Sequence, residues 1–284
     1  MTTGEKIGSV QEVNFVRSKD GTVINFHKSG SGPALILIHG VLSSSSDYLK
    51  VARHLGKHFT VYIIERRGRG CSGLQGIEYN IEKECEDIEA LQEIAQATIL
   101  LGHSYGGLIA MEYARKNTLL KKIVVYEPGV SVDGAISMEW VPKYKRLLAE
   151  KKYLTALSVF SKSTGPVQAK KTPLWLMNLL LLIFIREKRR RKMYRLLHEN
   201  LQEHLEVAKK NNTYRNYGEI SAKVLLMRGG KSGLEYVVMS ATALSEVIPS
   251  LVVKVFQKLD HFGPDITGPF EVAAAATEFF LANN

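Results

Sequence analysis

Cysteine is nearly absent from this 284-residue chain, which holds only Cys71 and Cys85. Two cysteines cannot build the disulfide framework of a small secreted domain, and this pair lacks metal-ligand spacing. A reducing, cytoplasmic setting is the expectation. Long apolar runs are missing as well. Pro173 to Ile185 (PLWLMNLLLLIFI) has 13 residues, short of the roughly 18 needed to span a bilayer. The N-terminal MTTGEKIGSVQEV lacks the apolar core of a signal peptide. No internal repeat or low-complexity linker divides the chain.

What remains is a globular composition, 45% hydrophobic and 23% charged, long enough for one large α/β domain or two small ones. The net charge of +10 is unevenly spread. Residues 131–215 carry 18 Lys and Arg against 7 Asp and Glu, while the rest carries 20 against 21. The whole basic excess lies in one segment, which marks it as an inserted module with its own surface.

Buried strands are expected at Ala34–Ile38 and Thr60–Ile64, short and mostly apolar runs, and further strands at Ala97–Leu101, Lys122–Tyr126, Lys223–Met227 and Leu251–Phe256. Val13–Val16 and Thr22–His27 flank the turn Lys19-Asp20-Gly21 and read as a hairpin. Helices are expected near Asp47–Leu55, with Ser46 or Asp47 as N-cap, and near Ile81–Ile94, Leu234–Val247 and Pro269–Leu281. The alternation breaks only after Tyr126, for about ninety mostly helical residues. The fold class is α/β, with a mainly parallel sheet and helices on both faces. Residues 1–130 and 216–284 form its core, and residues 131–215 form an inserted helical cap.

The chemistry centres on Ala97–Lys116, where a strand runs into Gly102-His103-Ser104-Tyr105-Gly106 and then a helix. A G-x-S-x-G at a strand-to-helix turn is a nucleophile elbow. The sharp turn strains the serine backbone, and flanking glycines avoid Cβ clashes. Ser104 is the nucleophile candidate, placed where the helix N-terminus favours negative charge. Among the eight histidines, His261 in Asp260-His261-Phe262-Gly263-Pro264 follows the last strand and is the candidate base. His103 is expected to pack inside the elbow, and His39 to shape the loop after its strand. His198 and His204 lie six apart, not the four of a zinc-protease motif, so neither a metal nor a cofactor is expected. Backbone N–H groups of Tyr105 and Val41 are the expected oxyanion donors.

These residues carry a resemblance to the α/β-hydrolase superfamily from Phe15 almost to the end, apart from the cap. His39-Gly40, the Glu65–Ser72 stretch ERRGRGCS, Gly102–Gly106 and Asp260-His261 match its motifs. Much of that family places an aspartate about three residues past a glycine after the strand at Lys223–Met227. Ser232 stands there instead. Some branches carry the acid one strand earlier, where this chain has Glu127. The resemblance therefore implies Glu127 as the acid that orients His261. Glu235 and a dyad without any acid are the alternatives. Glu65 and Arg67 resemble a family loop and are expected to make a structural ion pair or turn.

The resulting expectation is a cofactor-free serine hydrolase that cleaves carboxylic esters through an acyl-enzyme on Ser104. Carbon–carbon bond hydrolase, lactonase and amidase chemistry use the same groups and stay open. So does a non-catalytic ligand receptor with a hydrolase fold. The apolar run at Pro173–Ile185 is expected to be a cap helix, buried on more than one side and lining a pocket for an apolar acyl or aromatic group. The basic run after it leaves peripheral membrane contact open, while nucleic-acid binding is not expected.

Overall fold

The computed structural model describes residues 14–282. The reading of the first thirteen residues, and Val13 of the first strand, lie outside them. The eight strands are β1 (Asn14–Arg17), β2 (Val23–Gly30), β3 (Ala34–Ile38), β4 (Thr60–Ile64), β5 (Ile99–His103), β6 (Lys122–Tyr126), β7 (Lys223–Gly229) and β8 (Leu251–Phe256). They form one sheet in the order β1-β2-β4-β3-β5-β6-β7-β8. β1 and β2 pair antiparallel, β2 joins β4 antiparallel, and all other pairs are parallel.

Period-two alternation along the central strands explains why each is mostly apolar. Ile36, Ile38, Leu100 and Val125 pack on one face, and Leu35, Leu37, Leu101 and Val124 on the other. Both faces are buried, so neither can be polar. Helices α1 (Leu49–Leu55) and α11 (Pro269–Leu281) cover the second face. Helices α2 (Ile81–Ala95), α3 (Tyr105–Ala114) and α10 (Glu235–Val247) cover the first.

Between β6 and β7 the chain makes α4 (Val141–Ala149), α5 (Tyr153–Thr164), α6 (Val167–Lys171), α7 (Leu174–Phe184), α8 (Glu187–Arg195) and α9 (Leu197–Lys209). Their apolar side chains gather in a third cluster around Trp140, Tyr144, Leu157, Phe160 and Leu197. Buried charge ties this layer to the sheet. Glu203 of α9 meets Arg66 at 2.7 Å and also pairs with Arg69, while Glu84 of α2 meets Arg66 at 2.6 Å. Desolvation is offset because each guanidinium fork meets a carboxylate directly.

Two local expectations are corrected, the first N-cap and the burial of α7. The first helix opens as a short 3-10 turn at Ser45–Tyr48, and its N-cap is Ser44, in a capping box with Asp47. The Glu65–Ser72 stretch makes the expected turn and structural ion pairs, with Glu65 and Arg67 each taking a partner elsewhere. Glu65 accepts from the Ser45 hydroxyl, and Arg67 pairs with Asp87 at 2.7 Å and Asp20 at 2.9 Å. α7 is not buried all round: Met177 and Leu181 face inward, but Trp175, Leu179, Leu182 and Ile183 are exposed. A helix laid over a single cluster has only one face to bury.

Candidate functional site

β5 ends in a turn only a glycine-flanked residue can make. Ser104 has φ 55° and ψ −120°, a strained backbone for a residue with a Cβ. A Cβ on Gly102 would sit 2.4 Å from the Gly106 carbonyl oxygen, and one on Gly106 would sit 2.3 Å from that of Ile38. Both glycines are sterically required, which is the physical content of the motif.

The structure brings Ser104, His261 and Glu127 together from three separate sheet-edge loops. The Ser104 hydroxyl lies 3.2 Å from Nε2 of His261, and Nδ1 of His261 lies 2.7 Å from Oε2 of Glu127. With Nδ1–H donating to the carboxylate, Nε2 is left to accept from the serine. Glu127 is fully buried at the end of β6, with φ 43°. It accepts from the Gly229 N–H and from the Ser232 hydroxyl, each at 2.8 Å. Ser232, where the resemblance expects an acid, thus holds the Glu127 carboxylate. Glu235 also lines the cavity, but its side chain is 68% exposed and pairs with Lys170 at 3.5 Å instead of with His261.

His103 packs within the elbow and connects the parts. It accepts on Nδ1 from the Tyr48 hydroxyl and donates from Nε2–H to the His261 carbonyl oxygen at 2.8 Å. Burial and the nearby His261 hold its pKa well below the ordinary histidine value, so it stays neutral. Tyr48 in turn accepts from the Gly40 N–H at 3.3 Å. His39 is likewise buried and held neutral by desolvation and by Arg66. It donates from Nδ1–H to the Gly40 carbonyl at 3.0 Å and accepts from the Arg66 N–H at 3.3 Å. The loop carrying Val41 is thereby pinned from both sides. Val41 and Tyr105 both line the cavity beside Ser104, and Tyr105 is the first residue of α3, where no intrahelical acceptor exists for its N–H.

That cavity, about 520 Å³, lies between the sheet edge and the helices inserted after β6. Leu42, Phe160, Met177, Leu181, Met193 and Val207 supply its apolar wall. His204 lines it too, edge-on to Trp140 and Phe160, while His198 is exposed. Among the described residues, no group of three or more His, Cys, Asp or Glu is placed to hold a metal. No helix of the described residues is long and apolar enough to cross a membrane.

Sequence reasoning missed three contributors: Tyr48, Asp265 and Arg189. Asp265, just past His261, lines the cavity and bonds Arg189 of α8 at 3.1 Å. Burial pushes its carboxyl up to about 6 against the pull of Arg189. Its position two residues beyond Gly263 was the available signal. Nothing in sequence pointed to Arg189 among six neighbouring basic residues.

The fold matches known structures. An α/β hydrolase from Sphaerobacter thermophilus superposes with TM-score 0.80 at 27% identity, covering 94% of this chain and 100% of that one. An esterase from Exiguobacterium antarcticum gives TM-score 0.74 at 18% identity, over 95% and 100%. An uncharacterized Mycobacterium tuberculosis protein is 34% identical over 113 residues, 38% of this chain and a third (33%) of that one. A family model described as serine aminopeptidase, S33, matches residues 31–231, more than half of the chain. The chain belongs to that family, a branch of the α/β hydrolases.

Proposed function

We propose that the protein is a serine hydrolase that cleaves carboxylic esters with an apolar acyl or aromatic part. The observation that carries this is the relay from Glu127 through His261 to Ser104, opening onto an apolar cavity. The Ser104 oxygen attacks the ester carbonyl carbon, and its proton passes to Nε2 of His261. Glu127 holds the imidazole in the accepting tautomer and stabilises the imidazolium that forms. The N–H groups of Tyr105 and Val41 take the developing oxyanion. His261 then protonates the departing alkoxide, leaving an acyl-Ser104. Water, deprotonated by His261, attacks the acyl carbon and releases the acid and the free serine.

Lactone, amide and carbon–carbon substrates would meet the same groups, so the cavity wall decides among them. Glu127 beside His261 favours catalysis over a non-catalytic ligand receptor of the same fold. The test is labelling by a fluorophosphonate, which needs an activated serine. Labelling is expected for the wild type and lost in Ser104→Ala and His261→Ala. A folded wild type that resists the probe would overturn the proposal.

A further inference from the structure

α7 has two unlike faces. Met177 and Leu181 form part of the cavity wall, while Trp175, Leu179, Leu182 and Ile183 point away from it, at spacings of four, three and one. Trp175 is 68% exposed and Ile183 63%, and Phe184 at the helix end is 77% exposed. An aromatic and aliphatic stripe of this kind on one helix is more than scattered exposure.

Charge surrounds it. From Lys162 to Arg195 the chain carries ten basic residues and one acidic residue, Glu187. α8 divides its share by face. Arg189 reaches Asp265, and Lys192 reaches Asp47 and the Ser44 hydroxyl, so this stripe is anchored to the core. Lys188, Arg191 and Arg195 lie on a neighbouring stripe and are exposed, Arg191 also pairing with Glu187 at 2.5 Å, and Lys171 at the end of α6 and Arg186 just before α8 are exposed too. Arg190 donates to the Ile185 carbonyl at 2.8 Å and to that of Leu182 at 3.3 Å, tying the end of α7 to α8. The apolar stripe and the basic stripe are therefore held as one unit.

We propose that this unit is a docking surface for an anionic lipid bilayer: the outward face of α7 enters the acyl boundary, and the exposed cations flanking α7 and on α8 meet the headgroups. A second copy of the chain is the poorer occupant. A two-fold contact through α7 would set the same basic residues against each other with almost no acid to offset them. A lipid surface supplies both the apolar medium and the opposite charge. The docking does not depend on the chemistry at Ser104.

Trp175 reports directly. The chain has only two tryptophans, and Trp140 is buried within the cap cluster. Full-length protein is titrated with phosphatidylcholine vesicles, with and without phosphatidylserine, while tryptophan emission and vesicle sedimentation are followed. Expected are a blue shift and co-sedimentation with anionic vesicles at low salt, with quenching by brominated lipid. Each surface cation contributes roughly fivefold to partitioning, so Lys188→Gln with Arg191→Gln lowers it about 25-fold. Leu179→Asp with Ile183→Asp abolishes it while short-ester turnover and thermal unfolding hold. Wild type that neither shifts nor sediments overturns the proposal. So does equal binding to neutral vesicles, or a shift that follows protein concentration alone and marks self-association.

Discussion

Glu127→Gln tests the reasoning most sharply, because it changes charge and donor pattern with hardly any change in volume. The carboxylate is fully buried and accepts three hydrogen bonds, from Gly229, Ser232 and His261. An amide can keep its oxygen toward the Gly229 N–H. Its NH2 then faces His261, which must accept on Nδ1 and carry its proton on Nε2. That proton points at the Ser104 hydroxyl 3.2 Å away, so the serine has no base. A wrong tautomer in a comparable serine triad costs about 10⁴-fold in kcat. Here kcat/KM is expected to fall by about 10³ to 10⁴, or roughly 4–5.5 kcal/mol of transition-state stabilisation. The assay is initial rate on a short chromogenic ester, with urea unfolding to show the variant is folded. Glu235→Gln is the control and should stay within about twofold, since that exposed side chain on the cavity wall pairs with Lys170 and not with His261. A folded Glu127→Gln within tenfold of wild type would falsify the assignment of the acid.

Three further outcomes follow from the same geometry. His103→Phe leaves the Tyr48 hydroxyl and the His261 carbonyl without their partner; stability is expected to drop by about 2 kcal/mol in urea, with kcat falling more than KM rises. Glu203→Ala removes the cap's carboxylate from Arg66 and leaves Arg69 without one, so a loss of about 3–5 kcal/mol is expected; a loss under about 1 kcal/mol refutes the clamp between α9 and the core. Asp265, raised to about 6 in the fold from 3.8, binds its proton more readily folded than unfolded. Its ionisation therefore costs stability, a cost absent below about pH 3.8 and complete above about pH 6. Asp265→Asn is expected to gain up to about 2–3 kcal/mol over wild type at pH 7.5, with the difference shrinking toward pH 4; urea unfolding across that range checks the sign, and a difference independent of pH refutes it.

The sequence was legible where one residue type has one physical use. Gly102, Ser104 and Gly106 admit a single local geometry, and the mostly apolar runs of β3 and β4 leave no solvent face. The loop after β8 had to carry His261 to the sheet's C-terminal edge, because every parallel strand ends there. The acid was harder. Glu127 and Ser232 lie 105 residues apart, and only the adjacency of β6 and β7 lets one hold the other. α7 misled for a related reason. Its composition says that it avoids water, but not on how many sides the rest of the chain can cover it. The basic run after it was likewise a single stretch in sequence, and packing divided it into Arg189 and Lys192 against the core and Lys188, Arg191 and Arg195 outside.

Local chemistry thus determined the strands, the elbow, and Ser104 and His261 as candidates, since backbone sterics and side-chain pattern act over a few residues. The tertiary structure decided which carboxylate joins them, which cations are neutralised and which apolar face is left bare. Those depend on distances between segments far apart in the chain, which only the folded sheet and its cap set.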